Sequence, residues 1–160
     1  KLGSKKIALL STVNNLSVGK LRFEGYKKAL TDANMSIDEG LIVLETAIED
    51  FDVKLQALIS SKKMDAVFAL DEHSSTMTMR MALKQGIKIP EELNIIGFAD
   101  GVWSRRLTPS LSTVSQHAPE IGAKAAELLI HKLNSKDEFY QPQTVVIKTE
   151  LRQRESTRRL

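Results

Sequence analysis

IKIPEELNIIGFADGVWSRRLTPSLSTVS, residues Ile87 to Ser115, is the stretch on which the reading of the fold turns. Proline fixes φ and gives up an amide donor, so Ile89-Pro90-Glu91 reads as a turn. Leu93 to Phe98, LNIIGF, is a short apolar run of the kind that lies buried on both faces of a sheet. The run stops at Ala99-Asp100-Gly101, where glycine permits a sharp change of direction. A polar segment from Trp103 to Thr108 leads on to Pro109 through Val114. Ligands of open α/β sheets bind at the carboxyl ends of the strands, which makes Ala99 and Asp100 candidates for a binding site.

Upstream, the same alternation repeats. Lys5 to Ser11 reads as a strand, followed by a polar loop from Val13 to Leu16. Ser17 is suited to cap a helix. Val18, Leu21, Tyr26, Ala29, Leu30 and Ala33 then fall at helical spacing, with Gly25 expected to allow close packing on the sheet. Gly40 to Leu44 is a second strand. Phe51 to Lys62 is a helix with Phe51, Leu55, Leu58 and Ile59 on one face. Ala66 to Leu70 is a third buried strand, which ends at Asp71-Glu72-His73-Ser74. A helix from about Ser74 to Gln85 follows, with Gly86 beyond its end. Four apolar strands alternating with helices predict an α/β fold: a three-layer, doubly wound, mainly parallel sheet.

Downstream of Gln116 the pattern changes. Pro119 suits the first turn of a helix, and Ile121, Ala125, Leu128, Leu129 and Leu133 form its apolar stripe. Asn134 to Gln143 reads as a polar loop. Thr144 to Lys148 is expected to be a last strand, and the basic tail LRQRESTRRL to fray.

At 160 residues the prior is one domain with a real core. The 42% hydrophobic and 27% charged fractions are those of an ordinary globular chain. The net charge of +3 comes from scattered Lys and Arg, which argues against these residues gripping nucleic acid by themselves. With no cysteine, disulfides and thiolate metal sites are excluded. No run approaches the roughly 18 apolar residues that span a bilayer, so no membrane partner is expected. His73, His117 and His131 lack metal spacing, and neither a nucleophile elbow nor a phosphate loop occurs. The expectation is therefore no catalytic residue, no metal, no cofactor and no enzymatic activity.

The stretch "GIKIPEELNIIGFADG…TPSLSTVSQ" resembles the pattern "G-x-x-vP-e-d-i-x-i-iGfDd…P-x-LTTv-x-q" of the lac-repressor/gal-repressor family of bacterial transcription regulators. Arg22 to Leu30 is similar to that family's "R-x-x-G-f-x-x-A-L", and Leu151 to Thr157 to its closing "L-i-x-R-x-S-T". The resemblance runs from Leu2-Gly3 to Thr157 and corresponds to the C-terminal half of a family member. It implies a periplasmic-binding-protein-like effector region, a small-molecule effector (a sugar or related metabolite), a homodimer and a cytoplasmic location. It also implies that DNA is bound only through a helix-turn-helix headpiece absent from residues 1–160. The helix at 118–134 would belong with the missing N-terminal subdomain. The alternative is a fragment of a periplasmic-type solute-binding protein.

Arg22 offers a planar donor fork at a strand end, and the resemblance implies a role in effector binding. Asp71 and Glu72 are adjacent acids after a buried strand, suited to accept hydrogen bonds from hydroxyls or to favour a helix N-terminus. Asp71 stands where the family has asparagine. The family's "GfD" aspartate is Ala99 here, with Asp100 one residue later, which puts the usual sugar-binding logic in question. Trp103 offers a stacking face. Thr46 and Asn15 lie on loops at other strand ends and complete the candidate set.

Overall fold

The computed structural model describes residues 3–98, 100–135 and 141–157. The apolar runs up to Phe98 form four strands, β1 (Ile7–Ser11), β2 (Ile42–Leu44), β3 (Ala66–Ala69) and β4 (Asn94–Phe98). Between them lie α1 (Ser17–Asp32), α2 (Ile48–Ser61) and α3 (Glu72–Lys84). Then come α4 (Val102–Arg106), β5 (Ser112–Ser115), α5 (Ala118–Asn134) and β6 (Glu150–Arg152). The sheet order is β2-β1-β3-β4-β5-β6. Every neighbouring pair from β2 to β5 is parallel, and β6 runs antiparallel to β5. This is the mainly parallel, helix-covered sheet that the alternation predicts.

Side chains alternate across a strand, so each strand feeds two cores. Ala8, Leu10, Val67, Ala69 and Ile95 face α2 and α3, where they join Phe51, Leu55, Ile59, Met79 and Ala82. Phe51, Leu55 and Ile59 have no exposed surface, and burial on this scale is worth roughly 1.5–3 kcal/mol per side chain. Gly97 lets α3 approach: a Cβ there would sit 2.9 Å from the Ser75 Cβ. On the opposite face Leu9 and Leu70 meet Tyr26 and Leu30 of α1, with Phe68 alongside. The Tyr26 hydroxyl donates to the Ile7 carbonyl at 2.7 Å and clasps α1 to the start of β1.

Several sequence expectations need correction. Gly25 does not press on the sheet; a Cβ there would meet nothing within 4 Å. Within the polar segment from Trp103 to Thr108 the chain closes a short helix, Val102–Arg106. The last strand is Glu150–Arg152 rather than Thr144–Lys148. The reason is partner supply: the open edge of β5 pairs Thr113, Val114 and Ser115 with Arg152, Leu151 and Glu150. Thr144, Val145 and Ile147 instead border a cavity beside Ile121 and Leu128 of α5. Nor does the tail fray within its described part. Ser156 and Thr157 are buried, and Ser156 donates its N–H to the Ser110 carbonyl at 2.9 Å.

Candidate functional site

The carboxyl ends of the strands share one rim. Asp71 closes β3 as the N-cap of α3, and its Oδ1 accepts the Ser74 N–H at 2.8 Å in a capping box. The same carboxylate reaches across to the end of β1: Thr12 donates its N–H to Oδ2 at 2.8 Å and its hydroxyl to Oδ1 at 3.1 Å. Both oxygens of Asp71 are therefore committed to joining two strand ends.

Arg22 reaches this rim from the second turn of α1. Its guanidinium donates to the Leu70 carbonyl at 2.7 Å and to Gln116 Oε1 at 3.2 Å. It lies over the Phe98 ring, 3.7 Å from the centroid. Burial lowers its pKa, and the charge of Asp71 acts in the opposite sense. One side chain thus touches the ends of β3 and β4 and the segment that leaves β5.

Asp100, just beyond β4, has a side chain only 5% exposed. Its Oδ1 accepts from Thr113 at 3.0 Å, from Ser104 at 3.2 Å and from Arg154; its Oδ2 accepts from Arg152. Arg105 stands 3.8 Å away. Burial pushes the Asp100 carboxyl up, but hydrogen bonds from Arg154 and Thr113 and the charges of Arg154 and Arg152 outweigh it. The pKa falls to about 2. Asp100 anchors β6 and the tail, and it also borders a polar cavity.

The structure places the remaining candidates less centrally. Asn15 and Thr46 are exposed, on the loops after β1 and β2. Trp103 lies on α4, 62% exposed. Ala99 lies outside the described residues. No group of three or more potential metal ligands occurs among the described residues.

Two concavities meet this rim. The larger, about 690 Å³, is apolar and lies between α1 and the sheet, with Phe68, Ile96, Phe98 and Val114 among its walls and Arg22 at its edge. The smaller, about 450 Å³, is polar and lies between the ends of β4 and β5 and the first turn of α5. Glu72, Arg105, His117 and Arg152 face it. Its size suits a small molecule. Gln116, Arg152 and Arg154 were absent from the candidates read in the sequence. Arg154 and Gln116 had a signal, the arginine of the closing motif and the final residue of the "TPSLSTVSQ" match; Arg152 had none, its partner Asp100 lying 52 positions away.

The family model described as a periplasmic binding protein-like domain matches residues 1–157. The chain is 31% identical over 143 residues to the ribose operon repressor of Haemophilus influenzae, covering 87% of this chain and 42% of that protein. It is 32% identical over 152 residues to the transcriptional regulator MalR of Clostridium butyricum, covering 92% and 44%. Among solved structures it is similar to a complex of the transcriptional regulator CelR with cellobiose, with TM-score 0.84, 27% identity and coverage of 96% and 47%. The transcription regulator CcpA of Lactococcus lactis superposes with TM-score 0.83 at 26% identity, covering 98% and 57%. The chain spans less than half the length of the curated relatives it matches.

Proposed function

The chain belongs to the periplasmic binding protein-like domain family, and from that membership we propose that it is the effector-sensing part of a bacterial DNA-binding transcription regulator. The effector is a sugar or related metabolite, held at the rim where the strands end. One observation carries this reading: Arg22 ties the ends of β3 and β4 to Gln116, the residue from which the chain leaves the sheet for α5. A ligand that takes a guanidinium N–H changes what holds that exit. Differential contact of this kind is what lets a small molecule bias one arrangement of a protein over another. The names of the relatives, which include a ribose operon repressor and a cellobiose complex, support a carbohydrate.

The other parts of the reading follow from the relatives' greater length. DNA contact is assigned to a helix-turn-helix outside residues 1–160, and the working form is a cytoplasmic homodimer, as symmetric operators favour. No helix among the described residues is long and apolar enough to cross a membrane. α5 is assigned to a second, N-terminal subdomain; its lack of any buried residue supports this. The relatives are transcription regulators rather than enzymes, in keeping with a binding role.

The test is thermal unfolding of the intact regulator with D-ribose, D-glucose and cellobiose. Binding raises the transition by mass action. At least one sugar is expected to raise it, and Arg22→Ala to abolish the rise while leaving the sugar-free transition within a few degrees. A rise that persists undiminished in Arg22→Ala would remove Arg22 from the site.

A further inference from the structure

We propose that Glu72 and Arg152 form the specificity-determining pair of the polar cavity and select a neutral, hydroxyl-rich ligand. This rests on the reading of the rim as an effector site and adds which groups choose the effector.

Three carboxylates stand at the rim beyond β3 and β4. Asp71 is saturated by Thr12 and Ser74. Asp100 also borders the cavity, but its Oδ1 is held by Thr113, Ser104 and Arg154 and its Oδ2 by Arg152. Glu72, the first residue of α3, has no partner for its carboxylate among the described residues, and it borders the cavity of about 450 Å³. Oε1 occupies the space beside Gly101, where a Cβ would lie 2.7 Å from it. The backbone at the end of β4 thus leaves room for that oxygen.

Arg152 borders the same cavity. Its Nη1 is bound to Asp100 and its Nε to Glu150 at 3.2 Å. Those two bonds orient the fork and leave Nη2 without a partner among the described residues. The cavity therefore offers an uncommitted acceptor, Glu72, and an oriented donor, Arg152, of opposite charge. Asp100, Arg105, His117 and Glu120 also line it; Arg105 stands 3.8 Å from Asp100 and His117 3.7 Å from Glu150, each facing a carboxylate already.

An acceptor and a donor of cancelling charge fit a ligand that both donates and accepts and carries no charge itself. Adjacent ring hydroxyls do this. A carboxylate on the ligand would gain from Arg152 but be repelled by Glu72, and an ammonium the reverse, whereas neutral hydroxyls bond to both groups with no repulsion. Hydrogen bonds to charged groups are worth enough that losing one weakens binding about ten- to hundredfold.

The experiment is calorimetric titration of the intact protein with D-ribose, D-glucose, cellobiose and D-gluconate, repeated on Glu72→Gln, Gly101→Ala, their double variant and Arg22→Ala. A neutral sugar should bind more tightly than D-gluconate. Glu72→Gln should weaken the sugar about ten- to hundredfold without weakening D-gluconate, at an unchanged melting temperature. Gly101→Ala should weaken the sugar through displacement of the same carboxylate, so the double variant should lose no more than the worse single one. Sugar affinity within twofold of the unaltered protein in Glu72→Gln, with binding lost in Arg22→Ala, would overturn the pair and leave the rim standing. Failure of the unaltered protein to bind any neutral sugar would overturn both.

Discussion

At Asp100 two carboxylate oxygens meet Thr113, Ser104, Arg152 and Arg154. Removing that carboxylate strands Arg154, whose side chain is only 16% exposed, beside a hole. Breaking a buried pair from one side costs about 3–5 kcal/mol. Asp100→Ala should therefore lower stability by about 3 kcal/mol in urea unfolding, with Arg154→Met similar and the double variant far from additive. The same contacts set a pH dependence. The folded-state pKa of about 2 lies below the ordinary value of 3.8, so the group stabilises the fold fully above about pH 4. That contribution drains away as pH falls toward 2. Unfolding midpoints measured from pH 5 to pH 2 should fall less steeply in Asp100→Asn than in the unaltered chain. The sequence marked Asp100 as a ligand because it follows a buried strand and precedes a glycine, and both facts hold. What it could not supply was the company: arginines 52 and 54 positions on, brought back by a strand that pairs with β5. Arg22 could be placed near the rim from its motif on α1, but its partners Leu70 and Gln116, 48 and 94 positions on, could not be read either.

Among the elements, β6 with its tail and α5 stand at opposite extremes of burial. Ser156 is wholly buried; its hydroxyl donates to the Ile95 carbonyl at 2.6 Å and accepts the Ser112 N–H at 2.8 Å. Ser156→Ala leaves both partners unpaired in the interior, at a cost of about 1–3 kcal/mol for each unsatisfied group. The expected result is a clear fall in the urea midpoint at unchanged slope. In α5, by contrast, Leu129 is 57% and Leu133 74% exposed. Leu133→Lys should change the stability of this chain by less than about 0.5 kcal/mol, whereas Leu55→Ala in α2 should cost about 2–5 kcal/mol. An equal loss in the two would mean that α5 is packed after all. Periodicity read α5 correctly as a helix with an apolar stripe, because that pattern is local. It misread Thr144 to Lys148 as a strand because an apolar β-prone run is a strand only where an edge is free to pair with it. The free edge, at β5, went to Glu150–Arg152 instead.

Across the whole molecule the two faces of the sheet are unequally covered. A parallel sheet is stable with both faces closed. Here α2 and α3 close one face, while α1 alone serves the other. Ile96, Phe98 and Val114 are left only partly buried along an apolar groove of about 690 Å³. Gly25, Ala29 and Ala33 line its α1 side. Their spacing of four puts three small residues on one face of the helix, so nothing from α1 fills the gap. An apolar concavity of that size, together with the exposed Leu129, Ile130 and Leu133 of α5, is more uncovered hydrophobic surface than an independent domain ordinarily tolerates. Residues 1–160 by themselves should bind the dye ANS while still showing a cooperative unfolding transition, unlike a molten state, in which the tertiary signal is lost as well. Ala29→Glu puts a carboxylate into the groove at an exposed helical position, so it should cut the dye fluorescence severalfold and leave the transition nearly unmoved. Sedimentation equilibrium should report a mass that climbs with concentration, and Ala29→Glu combined with Leu133→Lys should restore the monomer mass. Dye binding that ignores Ala29→Glu would place the exposed surface elsewhere on the molecule.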